Sequence, residues 1–321
     1  MSGTERQAFM EHATPAGMAW IPGGIFRMGS DHHYPEEAPA HRVRVGGFWM
    51  DRTSVTNDAF SRFVASTGYV TLAERPPRAE DYPDALPEFL VAASAVFSPP
   101  PAAVDRNNAY HWWAYVPGAD WRHPQGPGSS IEGLSQHPVV HIAYEDAEAY
   151  ARWAGKDLPT EAEFEFAARG GLEGAEFVWG DELHPGGRMM ANTWQGEFPW
   201  HNSLDDGFAW TSPAGAFPAN GYGLSDMAGN VWQWTSDWYQ DHRQIDSPCC
   251  TLENPKGGSR DSSYDIASSE TRLPRKVIKG GSYLCAPSYC RRYRPAARMA
   301  QTIDTTTCHV GFRCVSRVEP Q

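Results

Sequence analysis

Two cysteines five residues apart, Cys285 and Cys290, lie in the run Lys279-Gly280-Gly281-Ser282-Tyr283-Leu284-Cys285-Ala286-Pro287-Ser288-Tyr289-Cys290-Arg291-Arg292-Tyr293-Arg294. A hydroxyl stands just upstream, and arginines and tyrosines surround the pair. Two thiols in so polar a setting suit redox chemistry or a soft metal ion. Free cysteine is also often just a small buried hydrophobe, and an i,i+5 pair fits a disulfide or two unrelated core positions equally well. Spacing alone leaves these readings open. Six cysteines in 321 residues are too few for a disulfide scaffold. The polar stretch Met1 to Met18 lacks the basic start and apolar core of a signal peptide, so the thiols are expected reduced, in the cytoplasm.

Two oxygen-rich segments are the other candidates for chemistry. One is Asn192-Thr193-Trp194-Gln195-Gly196 together with Asp205-Asp206-Gly207-Phe208; the other runs from Gly221 to Trp234. Hard cations such as calcium take several oxygens, mixing carboxylate, amide and backbone carbonyl. Neither segment is an EF-hand loop, and an Asx-turn framework closing on itself explains both without a metal. A third cluster, Glu161, Glu163 and Glu165, resembles an acidic catalytic group; helix capping and solvent exposure account for it more simply.

The elements that must position these groups are short. Hydrophobic residues make up 41% of the chain and charged residues 21%, enough for a large core. Gly 30, Pro 26 and Trp 13 are high counts, indicating short elements joined by long packed loops. A net charge of -12 argues against binding nucleic acid or an anionic membrane surface, and no apolar run approaches the roughly 20 residues of a membrane span. Alternation predicts strands around Ala19–Ser30, His41–Val45, Phe48–Asp51, His137–Ile142, Val277–Tyr283 and Val310–Val315. Helical spacing predicts helices over Thr53–Thr67, capped by Thr56 or Ser54, over Tyr144–Trp153, stopped by Gly155, and from Thr160, with Glu163 completing a capping box. Residues 71–138 show weak periodicity broken by prolines and anchored by Trp112, Trp113 and Trp121. Residues 241–274 form a polar excursion in which Cys249 and Cys250 are expected at the surface. No internal repeat is evident, and the whole reads as one α+β domain.

At these motifs the chain resembles the formylglycine-generating enzymes, or sulfatase-modifying factors, over roughly residues 18–316, leaving 1–17 as a short extension. The resemblance runs through Trp20-Ile21-Pro22-Gly23-Gly24, Leu158-Pro159-Thr160-Glu161-Ala162-Glu163, Asn220-Gly221-Tyr222-Gly223-Leu224, Gly229-Asn230-Val231-Trp232 and Gly311-Phe312-Arg313-Cys314. Its most specific part is Gly280 to Cys285 with Ser288-Tyr289-Cys290 and Tyr293-Arg294. It implies a compact fold of low regular secondary structure related to C-type lectins, in a bacterial, monomeric protein. The implied activity is oxidation by O2 of one cysteine, within a Cys-X-Pro-X-Arg type segment of an unfolded or nascent sulfatase, to Cα-formylglycine. By the same resemblance Cys285 and Cys290 would hold Cu(I) as a near-linear thiolate pair, Ser282 would donate a hydrogen bond beside the oxygen pocket, and Trp232 would wall it. Two structural calcium ions are implied. The first would use Asn192, the carbonyl of Thr193, Asp206 and the carbonyl of Phe208; the second Asp226, the carbonyls of Gly229 and Val231, and Gln233.

Two departures stand out. The family commonly has asparagine where Asp226 stands and glutamate where Gln233 stands, so the single carboxylate of the second site has changed places. Secreted relatives have disulfides where this chain has Ala151, Ala168 and Pro295, leaving Cys314 without a partner; Cys308 and Cys249-Cys250 take no role from the resemblance. The competing readings are a peptide- or carbohydrate-binding module without catalysis on the same scaffold, and another oxidase of the superfamily.

Overall fold

In the computed structural model, which describes residues 15–83, 85–242, 250–264 and 273–318, four small sheets and three helices pack around one main core. The first strands follow the alternation of the sequence: β1 (Met18–Ile21), β2 (Gly24–Met28), β3 (His41–Val45) and β4 (Phe48–Asp51). In β3 the side chains alternate buried and exposed, as expected of a strand with one face on the core. β1 and β4 pair antiparallel, with β12 (Val315–Ser316) on the other edge of β4; β2, β3 and β8 (Leu252–Glu253) form a second sheet.

Helix α1 spans Asn57–Thr67, and the Thr56 side chain accepts from the Ala59 N–H at its start, one of the two caps expected. Its buried Phe60 and Phe63 meet Tyr150 of α2 (Tyr144–Trp153) at 5.9 and 5.6 Å, and Phe60 also meets Phe312 edge-on at 6.5 Å. Helix α3 (Glu161–Arg169) opens on the expected capping box, Thr160 and Glu163 exchanging hydrogen bonds of 2.7 and 3.1 Å. All nine of its residues are buried, against β2, β3, β7 (Trp232–Trp238) and β9 (Arg275–Lys279). The expectation that its glutamates face solvent is therefore wrong. Glu161, Glu163 and Glu165 each meet a cation instead: Arg298, Arg317 and Lys279.

A four-stranded sheet, ordered β10 (Arg298–Thr302), β9, β7 and β11 (Val310–Gly311), carries the second half of the chain. The strand expected over 277–283 is β9, which ends at Lys279 because Gly280 and Gly281 turn the backbone at φ 95° and 71°. The expected strand over 137–142 is absent. His141 sits at φ 61°, and the segment bonds to separate loops, Val139 N to Val55 O and His141 N to Thr307 O. Conversely, residues 71–138 hold an unforeseen antiparallel pair, β5 (Ala93–Phe97) with β6 (Trp113–Pro117). Its Phe97, with Trp112, Trp194, Phe198, Tyr283 and Cys308, forms a second, smaller core. Among the described residues no helix is long and apolar enough to cross a membrane. Cys250 is exposed as expected, whereas Cys249 lies outside the described residues.

Candidate active site

The thiol-bearing turn is built on Gly281. A β-carbon there would lie 2.8 Å from Arg292 O, so only glycine lets residues 281 and 292 approach closely enough to close the segment between them. Inside that loop, Cys285 N donates to Ser282 O at 2.9 Å and Cys290 N to Ala286 O at 2.8 Å. These two tight turns place the Sγ atoms of Cys285 and Cys290 3.3 Å apart, both as free thiols. Cys285 is 2% exposed, whereas Cys290 is only half-buried and gives the pair its access to solvent.

The two thiols differ electrostatically. Burial pushes Cys285 well above the ordinary thiol range. Cys290 is pulled down to about 6, first by the hydrogen bond from Cys285 and, against burial, by the Arg292 guanidinium. The opposite directions describe one proton shared between two sulfurs: Cys285 keeps it and donates to a Cys290 thiolate. Arg292 lies 3.8 Å from Cys290 Sγ, pairs with Glu36 at 2.5 Å and stacks 3.9 Å over the Tyr34 ring. Arg291 pairs with Glu176 at 2.7 Å, and Arg106 donates to Ser288 O at 2.9 Å. Three distant segments thus brace the turn.

This electrostatic arrangement sets a pH dependence. Thiolate is the reactive form, so alkylation of the metal-free protein by iodoacetamide should begin at Cys290 and rise through pH about 6, not through the thiol's ordinary range. Arg292→Met should move that midpoint upward, read by mass spectrometry of the alkylated peptide. An unchanged midpoint would show that Arg292 has no influence on the thiolate.

The other expected residues are placed as follows. Ser282 is fully buried beside Cys285, with its N–H 3.5 Å from Sγ, but its hydroxyl accepts from Leu284 N at 3.3 Å and so serves its own turn. Trp232 is buried in the same packed cluster as Cys285. Tyr289, 45% exposed, stacks on Phe198 at 4.3 Å and makes an aromatic ledge next to Cys290 in sequence. Tyr34, Glu36, Arg106 and Glu176 were missed by sequence reasoning. The acidic Pro35-Glu36-Glu37 and the basic Arg291-Arg292-Tyr293-Arg294 are complementary in charge, but nothing in the chain order indicates that they meet.

The oxygen-rich loops are tied to the thiol turn. Trp194 N donates to Cys285 O, Tyr283 N to Asn230 O, Gly229 N to Gly280 O and Asn230 N to Asn192 O, at 2.8–3.0 Å. Gly229 allows this contact, since a β-carbon there would meet Asn192 O at 2.4 Å. At the first loop the Asn192 Oδ1 is buried with no hydrogen-bond partner, and Asp206 Oδ2 and Thr193 O converge on the Gln195 amide. Burial raises the Asp206 carboxyl, and among the described residues no Lys or Arg pairs with it. An unpartnered amide oxygen, a carbonyl and a half-buried carboxylate together fit a hard cation. The second loop is arranged otherwise. Gln233 Oε1 accepts from Arg313 Nε at 2.6 Å, its Nε2 donates to Asp226 O at 2.8 Å, and Asp226 Oδ2 accepts from Gly215 N at 2.7 Å.

Among the described residues no group of three or more His, Cys, Asp or Glu gathers, so a metal at the thiols would have two protein ligands. Their softness suits Cu(I). Such an ion would be held by Cys285 from the core side and by the half-buried Cys290 from the solvent side. The larger of the described cavities, about 720 Å³, is elsewhere, lined by Tyr144, Lys156, Asp237, Trp238 and Arg317. Its Lys156 and Arg317 are already paired with Asp51, Asp157 and Glu163, which leaves it little chemistry.

Residues 5–318 match the family described as "Sulfatase-modifying factor enzyme 1-like domain". The chain is 51% identical over 296 residues to the formylglycine-generating enzyme of Mycobacterium tuberculosis, covering 92% of this chain and 96% of that one. It is 38% identical over 314 residues to a Mus musculus protein named inactive C-alpha-formylglycine-generating enzyme 2, covering 95% and 87%. Among solved structures, PvdO from Pseudomonas aeruginosa superposes with a TM-score of 0.62 at 23% identity, covering 94% of each chain, which shows the shared fold.

Proposed function

The chain belongs to the formylglycine-generating enzyme family and is an oxidoreductase of that family; we propose that it uses O2 to convert a cysteine in a Cys-X-Pro-X-Arg type segment of a sulfatase precursor into Cα-formylglycine, with Cys285 and Cys290 as a Cu(I)-binding pair. The observation that carries this reading is the 3.3 Å approach of two free thiols, one buried and one half-exposed. A scaffold relative without activity would have no need of such a pair. Copper held by the two thiolates would supply the one-electron chemistry that lets triplet O2 react with a closed-shell substrate.

The chain's own part is binding, orientation and charge. Cys285, enclosed by the core, fixes one end of the pair; Cys290 meets the incoming thiol at the surface. Arg292 offsets the negative charge that two thiolates and a substrate thiolate would build up. The exposed Tyr289 ledge offers a flat apolar surface for an extended peptide. Ser282 and Trp232, in the core around Cys285, would exclude water behind the pair. In the net reaction the substrate's CH2–SH gives two electrons and two protons to O2, which leaves as hydrogen peroxide, and water then hydrolyses the thioaldehyde, releasing sulfide and leaving the aldehyde.

Calcium at Asn192, Thr193, Asp206 and Phe208 would stiffen a loop that hydrogen-bonds the thiol turn directly. The same proposal places the domain at 18–316, its fold in relation to C-type lectins, and the protein in the cytoplasm as a monomer. Cys308 and Cys314, buried and in no disulfide, favour that compartment.

The test is to incubate reduced protein, with and without Cu(I), with a Cys-X-Pro-X-Arg peptide under air. Mass spectrometry should show thiol lost and aldehyde gained in the copper-loaded sample. No conversion there would remove the assignment.

A further inference from the structure

We propose that the buried guanidinium of Arg313, in place of a calcium ion, is the cation that holds the 225–233 loop, so that the chain takes up one calcium at Asn192–Asp206 and none at Asp226–Gln233. For the one ion, the inference rests on the calcium reading above. Its own evidence is the neighbourhood of Arg313, which is 0% exposed and gathers oxygen atoms as a metal would. Nε donates to Gln233 Oε1 at 2.6 Å, Nη2 to the carbonyls of Ser225 and Asp226 at 2.8 and 2.9 Å, and Nη1 to Asp51 O at 3.2 Å. The planar fork of an arginine suits such a convergent set of acceptors.

Charge gives the same answer. The carboxylates facing Arg313 are Asp226 and Asp51. Asp51 is already balanced by Lys156, its Oδ1 2.6 Å from the ammonium, and its Oδ2 accepts from Cys314 N. Asp226 is therefore the counter-charge of Arg313, and the pair is neutral. A calcium ion sharing Gln233 Oε1 would sit within about 5 Å of the guanidinium, given calcium–oxygen bonds of roughly 2.4 Å. It would bring two further positive charges into a buried loop with no carboxylate left to offset them. Gln233 adds none, being neutral, and its amide is locked at both ends, Oε1 by Arg313 and Nε2 by the Asp226 carbonyl. The first loop differs in charge and in one oxygen: its Asp206 accepts only from Thr193 N, Phe208 N and the Gln195 amide, with no Lys or Arg paired to it among the described residues, and Asn192 Oδ1 has no partner.

The experiment is metal counting on the intact protein. Chelator-stripped protein is reloaded with calcium, freed of excess by gel filtration and analysed by mass spectrometry of the elements, with titration calorimetry as a second count. Wild type is expected to hold one calcium per chain, Asp206→Asn none and Asp226→Asn one. Near-UV circular dichroism establishes that each variant is folded; the wild-type count needs no variant. Two ions in wild type would overturn the proposal, as would a single ion retained by Asp206→Asn. A wild type holding no ion would leave Arg313 as the loop's cation and remove the Asn192–Asp206 site instead.

Discussion

Cys290→Ala is expected to lower peptide oxidation by about a thousandfold or more while leaving the protein folded. The two consequences separate because the residue contributes little packing. It is half-buried, and the recorded partners of its sulfur are Cys285 at 3.3 Å and Arg292 at 3.8 Å. Losing that one polarisable atom costs about 1 kcal/mol. Losing it from the proposed pair, however, leaves Cys285 alone, and one thiolate cannot hold the ion that two can. Cys285→Ala should abolish activity equally, with a somewhat larger stability cost because that thiol belongs to the main core. A Cu(I) competition titration against a chromophoric chelator checks the reason independently of turnover: both variants should fail to compete where wild type succeeds. Full activity in either variant would eliminate the two-thiolate reading.

The parts of the fold that local chemistry decides were legible in the sequence. Thr56 and Thr160 cap helices because a side-chain oxygen reaches an N–H three residues on, a relation contained within four residues. The strands β2 and β3 follow from alternation, although their pairing with each other does not. What depends on partners far along the chain was not legible. The β5–β6 pair joins strands separated by prolines, and its Phe97 packs on Trp194 and Phe198, a hundred residues away in the sequence. The strand expected at 137–142 failed for the converse reason, since its polar backbone groups are claimed by Val55 and Thr307 instead of by a neighbouring strand. In the site, the paired thiols could be singled out from type and spacing, but the brace could not. Arg292 meets Glu36 across 256 residues of chain, and Arg313 meets Gln233 across 80.

The acidic helix was the largest misreading, and it yields the largest expected loss of stability. Glu161→Ala should destabilise the protein by about 3–5 kcal/mol, as expected when one member of a buried ion pair is removed. Glu161 binds Arg298 in bidentate fashion at 2.6 and 2.8 Å and lies 3.8 Å from Lys279, and all three are at most 4% exposed. Lys279 also pairs with Glu165 at 3.0 Å, and Arg169 with Glu165 at 2.7 Å. Two carboxylates thus serve three buried cations, and without Glu161 a single carboxylate remains for all three. The loss should be seen as a lower urea midpoint with unchanged slope. Replacing both members, Glu161→Leu with Arg298→Met, should recover much of it, because no unpaired charge then remains; a double variant as weak as the single would assign the effect to packing. The pH dependence has a definite sign. Burial raises the Glu161 carboxyl, but Arg298 and Lys279 outweigh it and hold the group down to about 2, below its ordinary 4.5. A depressed folded value means that the contribution, roughly 3 kcal/mol, is complete above pH about 4.5 and lost as the pH falls towards 2. Wild type should therefore lose stability steeply across that window, and Glu161→Ala should be flatter there. The active turn should register the same change. Lys279 is the last residue of β9, directly before Gly280-Gly281-Ser282; without Glu161 it must share Glu165 with Arg169 as its one remaining carboxylate, which loosens the strand end from which the thiol loop starts. In Glu161→Ala the alkylation of Cys285, slow in wild type because that thiol is enclosed, should become faster along with the loss of stability. Unchanged protection of Cys285 in a destabilised variant would show that the ion network supports the fold without reaching the site.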